Sequence, residues 1–144
     1  MLFRSALLQK DMDTAVDYAL QANALLPDHD ALAYHVIAVL HRAGRDAELL
    51  QVEAGLADSA RAQPRVKMLV CHACVRTGAL DRADAVLWEN GGLIVPDMQE
   101  GENFITDLWK DLEEAKAARD GRPFDRYTAE PPHIFDFRMF APKV

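Results

Sequence analysis

The chain has 144 residues, half of them apolar, and sixteen basic against twenty-three acidic side chains give it a net charge of −7. That length bounds one domain able to bury a core, and the acidic balance argues against a nucleic-acid surface or a polybasic membrane patch. No apolar run approaches the roughly 20 residues of a membrane helix, and no secretory start is visible, so a cytoplasmic protein with neither nucleic-acid nor membrane partners is expected.

Residues 1–5 read like the translation of a common sequencing adapter and are set aside as a non-native leader, which implies that the natural start is missing. From residue 6 to residue 92 apolar side chains recur at helical spacing, cut by turn signals near Lys10-Asp11, Leu26-Pro27-Asp28, Ala43-Gly44, Gln63-Pro64 and Thr77-Gly78. Met12, Ala15, Ala19, Ala22 and Leu26 form the stripe of one helix; Leu32, Val36, Val39, Leu40 and Ala43 that of the next. Ala47, Leu50, Ala54 and Ala57 are expected to continue the pattern, followed by Val66, Leu69, Val70 and Ala73.

Lys10, Gly44 and Gly78 are spaced by 34 residues, the tetratricopeptide period. The first unit keeps Ala15, Ala19, Ala22 and Pro27 at the spacing of that repeat, and the third keeps Gly78 and Ala83, where close helix contact demands a small residue. The second departs: Leu49 stands where a small residue is expected and proline is delayed to Pro64, which predicts a longer, slightly shifted second helix. One helix pair cannot cover its own apolar face, so neighbours must stack and the last pair needs a cap.

That cap is expected in residues 93–121, where Asn103 is placed to cap a helix whose stripe is Ile105, Leu108, Trp109, Leu112 and Ala115. Gly121 and Pro123 end it. Residues 122–144, rich in aromatics and proline, read as an extended tail whose Phe135, Phe137, Met139 and Phe140 are too apolar for free solvation and should pack on the helices or a neighbouring domain.

Val95-Pro-Asp-Met-Gln-Glu-Gly-Glu-Asn103, Thr106-Asp-Leu-Trp109 and the closing Asp136-Phe-Arg-Met139 resemble the C-terminal end of large bacterial tetratricopeptide-repeat proteins. Those proteins join the repeats to a β-rich domain reminiscent of carbohydrate-active enzymes. The resemblance spans about the last two-thirds of the chain and implies a position within a longer protein; it carries no catalytic residue into this segment.

Candidate chemistry is sparse. Cys71, His72 and Cys74 suggest metal or redox work, but a structural zinc site needs four ligands and no second pair exists, so core packing is the expected role of both cysteines. Asp97, Glu100, Glu102 and Asp107 could supply a glycosidase-like carboxylate pair, yet their place at a helix start favours capping. His29, His35, His41, His72 and His133 show no metal spacing along one helix, and Trp88 and Trp109 read as anchors between the last hairpin and the cap. The fold expected is therefore all-α: tetratricopeptide-like antiparallel hairpins in an α-solenoid, closed by a long helix and the tail. No catalytic, cofactor or metal residue is assigned. The functional expectation is a non-catalytic interaction or scaffold module that binds a protein, a peptide or an upstream domain of its own chain, with an accessory domain of a carbohydrate-processing enzyme as the alternative.

Overall fold

The computed structural model describes residues 2–96 and 104–136, with side chains from Leu8 onward. Among these residues all secondary structure is helical: α1 (Leu2–Leu25), α2 (Asp30–Arg42), α3 (Asp46–Ala54), α4 (Asp58–Arg61), α5 (Pro64–Thr77), α6 (Leu80–Leu87) and α7 (Phe104–Asp120), with single 3-10 turns at Glu89–Gly91 and His133–Phe135. None of the described helices is long and apolar enough to cross a membrane.

The 34-residue spacing survives in the backbone of two hairpins. Asp30 and Pro64 open α2 and α5, and Asp46 and Leu80 open α3 and α6, each pair 34 residues apart. The turns match bond for bond: Gly44 N–H donates to His41 O and Arg45 N–H to Leu40 O, while Gly78 N–H donates to Val75 O and Ala79 N–H to Cys74 O. Both glycines are left-handed, at φ 73° and 84°, a conformation that costs any residue with a Cβ. Lys10 occupies the corresponding place in the first unit and makes no turn. α1 runs unbroken through it, and Lys10 O accepts from the Thr14 hydroxyl at 2.9 Å. Without glycine, the helix continues at lower cost than a left-handed lysine would allow.

The second helix of the middle unit is also shorter than expected. α3 stops at Ala54, Gly55 caps it, and Ala57 is extended before the single turn of α4. The buried stripe is Leu49, Glu53, Leu56 and Ala60, one position out of phase with the expected alanines; Ala47 and Ala54 are exposed. The phase follows from Glu53, which is buried because two arginines hold it. In α1 the core contacts are Val16 and Ala19, while Ala15, and Leu26 just past the helix end, face outward.

The contacts between elements set α5 between α2 and α7, a series referred to below as the front row, while α1 packs on α2, α3 on α2 and α5, and α6 on α5 and α7. Each new front helix rests on both members of the preceding hairpin: α5 touches α2 and α3, and α7 touches α5 and α6. Val66, Leu69, Val70 and Ala73 of α5 are all buried, which makes this helix the centre of the core. At the α5–α6 contact, Ala83 is fully buried and its carbonyl accepts from the Cys71 thiol at 3.3 Å.

α7 closes the stack through Ile105, Leu108 and Leu112, all buried against the preceding hairpin. It ends at Gly121, left-handed at φ 69°, with Arg122 N–H returning to Ala117 O. Asn103 lies outside the described residues, so its capping role is untested by this structure. Beyond Gly121 the chain is irregular, with a turn in which Asp125 accepts from Tyr127 N–H, and it inserts Phe135 fully into the core. Phe137, Met139 and Phe140 lie outside the described residues. Neither tryptophan is a buried anchor: Trp88 is 37% exposed with its edge against Phe135, and Trp109 is half-buried against Phe124.

Gly92 is where the tail requires a glycine. Its φ is +135°, and a Cβ there would stand 2.7 Å from Ile134 Cδ1. The close approach lets residues 134–135 lie over the exit from α6.

Candidate functional site

The front row brings together residues that sequence spacing left apart. His41, near the end of α2, meets His72, in the middle of α5, with Nε2 and Nδ1 2.8 Å apart. Phe104, the first residue of α7, packs on both rings, at centroid distances of 5.7 Å and 5.4 Å. Asp111, two turns further along α7, places Oδ2 3.6 Å from the other nitrogen of His72. Three helices thus contribute to one cluster, whose order is Asp111, His72, His41.

The partners assign the protons. A carboxylate beside His72 Nε2 favours hydrogen there, which leaves Nδ1 as an acceptor and makes His41 Nε2 the donor across the 2.8 Å contact. Burial disfavours the charged form of both rings. Burial, then the Arg76 guanidinium and the neighbouring His72, bring His41 down to about 4, with Asp46 acting in the opposite direction. Burial and Arg76 also lower His72, against Asp111. Arg76 is itself paired with Asp46 at 2.6 Å and donates to His41 O at 3.3 Å.

A pH dependence follows, with a definite sign. The unfolded chain protonates these imidazoles near 6.5, whereas the native chain resists until about pH 4 at His41. Between those values the unfolded state binds more protons, so the stability contributed by the neutral pair is present above about pH 6.5 and is lost as pH falls towards 4. His41→Gln should flatten this part of a plot of urea midpoint against pH. Parallel curves for parent and variant between pH 4 and 7 would contradict the assignment.

Open space flanks the pair on both sides. A groove of about 390 Å³ is lined by Tyr34, Ala38, His41, Arg42, Leu69 and Arg76. A second, of about 210 Å³, is lined by His72, Phe104, Asp107, Leu108 and Asp111. The front face is therefore a mixed surface, with an apolar floor, two arginines at one end and two aspartates at the other.

Of the residues singled out from sequence, His41, His72 and Asp107 line these grooves and the others fall elsewhere. Cys71 and Cys74 are free, buried thiols on the core side of α5. Burial, with Cys74 and Asp84 nearby, pushes the Cys71 thiol up to about 12, and burial raises Cys74 too. Thiolate is the reactive form, so neither cysteine should react with Ellman's reagent in the native chain at pH 8, and both should react in urea. Rapid stoichiometric labelling of the folded protein would overturn that expectation. Asp97, Glu100 and Glu102 lie outside the described residues, while Asp107 is exposed on the first turn of α7. His29 caps α2 by accepting from Leu32 N–H at 3.3 Å, and His35 and His133 are exposed. Among the described residues no group of three or more His, Cys, Asp or Glu side chains is arranged to hold a metal ion.

A second polar cluster lies between α3, α4, α5 and α6. Glu53 is clasped by Arg61 at 3.0 Å and Arg82 at 2.7 Å, and Lys67 pairs with Glu89 at 2.9 Å. These charges satisfy one another across the wall of a groove of about 300 Å³, which suits a role in holding helices together.

Comparison with protein-family models, with curated proteins and with solved structures gives no match for the chain.

Proposed function

We propose that the protein is a non-catalytic, tetratricopeptide-like interaction module that binds an extended peptide segment across its front row of helices. The observation that carries this is the contact pattern, in which α2, α5 and α7 stand side by side while each new front helix rests on the whole preceding hairpin. Helical repeats with this connectivity present one continuous face to a ligand. Here that face runs from Arg42 and Arg76, past Tyr34, Leu69 and Phe104, to Asp107 and Asp111. Arg76 is paired with Asp46 and Asp111 with Arg126, which leaves Arg42 at one end and Asp107 at the other, so the face suits a peptide with an apolar middle, an acidic residue at one end and a basic residue at the other. We place the module in the cytoplasm, where two unpaired thiols stay reduced.

The test is selection of peptides from a random display library on the full chain, followed by affinity measurement on variants. Tyr34→Ala and Asp107→Lys should each weaken selected peptides at least tenfold, whereas Ala47→Lys, on the exposed side of α3, should leave them unchanged. Peptides that bind equally well to all three variants would place the ligand surface elsewhere.

A further inference from the structure

We propose that α1 is the interface of a homodimer, packing antiparallel against α1 of a second copy of this chain along the stripe Leu8, Asp11, Ala15, Tyr18, Ala22 and Leu25. The first support is an open place in the stack. Among the described residues α3 packs on α2 and α5, and α6 on α5 and α7, whereas α1 packs on α2. The 34-residue interval makes Ala15 the counterpart of Leu49 in α3 and of Ala83 in α6, both fully buried. Ala15 is exposed, and the large apolar side chains in line with it are exposed too: Leu8 is 66%, Tyr18 68% and Leu25 80% accessible. Because α1 runs straight through Lys10 rather than turning back, its own N-terminal half does not fold over this side. Apolar side chains gathered on one exposed helix face mark an interaction surface.

The second support is self-complementarity, which selects a second copy as the occupant. The stripe advances by three, four, three, four and three residues, the alternation of a helix seam, and this order reads the same in both directions. A two-fold axis level with Val16 and Asp17 therefore maps the stripe onto itself. Antiparallel helices then set Leu8 beside Leu25 of the second copy, Ala15 beside its Tyr18 and Ala22 beside its Asp11. Large meets small at the centre, where each Tyr18 ring takes the space that Ala15 leaves open. Asp11 is the one charge in the stripe, and the small Ala22 opposite leaves its carboxylate a path to water, as an unpaired charge requires. Lys10, Asp13 and Asp17 point away from the stripe, and Asp13 lies 3.7 Å from Arg45. The arrangement also repeats the hairpin geometry of the stack: α1 of the second copy covers Ala15 as α5 covers Ala83 of α6. The front-row groove is lined by α2, α5 and α7, so the proposal is independent of the peptide-binding function.

Sedimentation velocity of the full chain over rising concentration should show a monomer–dimer equilibrium. Ala15→Tyr puts two rings in one layer and should weaken the dimer by about tenfold or more, because each dimer contains that layer twice. Ala15→Tyr/Tyr18→Ala restores one large and one small side chain to each layer and should recover most of the lost affinity. Asp11→Leu removes the charge and should tighten the dimer. Ala47→Tyr, on the exposed side of α3, should leave it unchanged. All four positions are exposed in the monomer, so urea midpoints at high dilution should match the parent and separate a lost interface from a lost fold. A cross-link fixes the direction of the helices. Chains carrying Ala15→Cys, mixed with chains carrying Tyr18→Cys, should oxidise to the mixed disulfide faster than either forms a disulfide with itself, the native Cys71 and Cys74 being buried. A chain that stays monomeric at every concentration, a double swap as weak as Ala15→Tyr alone, or faster cross-linking of Ala15→Cys with itself would each overturn the proposal.

Discussion

Replacing Phe135 with alanine is expected to cost about 3–5 kcal/mol of folding stability, the range for deleting a buried aromatic ring. The ring is fully buried although it belongs to a segment with only one helical turn of its own. It fits edge-on to Trp88 at 5.0 Å, beneath a path made possible by the missing side chain of Gly92. The backbone is fastened at the same point, because Thr106 Oγ1 donates to Phe135 O and Phe135 N–H donates to Pro132 O. Alanine would leave a cavity beside Trp88 and Gly92 and would release the tail from α7. A urea melt gives the magnitude. Trp88 fluorescence gives the location, since loss of the ring should expose that indole further. Tyr127, 92% exposed in the same segment, is the control, and Tyr127→Ala should stay within about 0.5 kcal/mol of the parent. Equal midpoints for Phe135→Ala and Tyr127→Ala would remove the tail from the core.

What could be read from the sequence divides along physical lines. Gly44 and Gly78 were legible because a left-handed turn needs glycine and the chain supplies it at a 34-residue interval. The stripe of α5 was legible because Val66, Leu69, Val70 and Ala73 are apolar and nothing polar competes for their positions. The same period misled at Lys10, where spacing alone suggested a turn that the side chain makes expensive. In α3 the expected stripe chose alanines over Glu53, since the partners that make Glu53 buriable, Arg61 and Arg82, lie 8 and 29 residues away. The histidine pair escaped notice for a related reason. Its members are 31 residues apart on different helices, and only the sliding register of α2 on α5 decides whether they meet. His72 stood out as a neighbour of two cysteines that face the core, and its place among five histidines without metal spacing along one helix gave no sign of His41 as its partner.

The largest electrostatic effect is expected at Glu53, and it is asymmetric. Its carboxylate is 7% exposed, whereas Arg61 and Arg82 are each 43% exposed. Removing both guanidiniums strands a buried charge with no partner, while removing the carboxylate leaves two cations that reach water. Arg61→Ala/Arg82→Ala should therefore lose about 3–5 kcal/mol, the cost of breaking a buried pair by deleting its partner. Glu53→Leu should be close to neutral, because a similar apolar volume removes the desolvation cost along with the attraction, and its neighbours in the stripe, Leu49 and Leu56, are already buried. Either arginine alone should cost less than the pair, since one charge-assisted bond of 3.0 Å or 2.7 Å remains. The decisive variant combines Glu53→Leu with both arginine deletions. Once the carboxylate is gone the arginines have little left to do, so the triple variant should regain most of the stability lost by the double one, as a double-mutant cycle in urea would show. If the triple variant is as unstable as the double, the arginines act through the packing of their stems on α3 and α6, and the buried charge has no part in holding α3 to the rest of the stack.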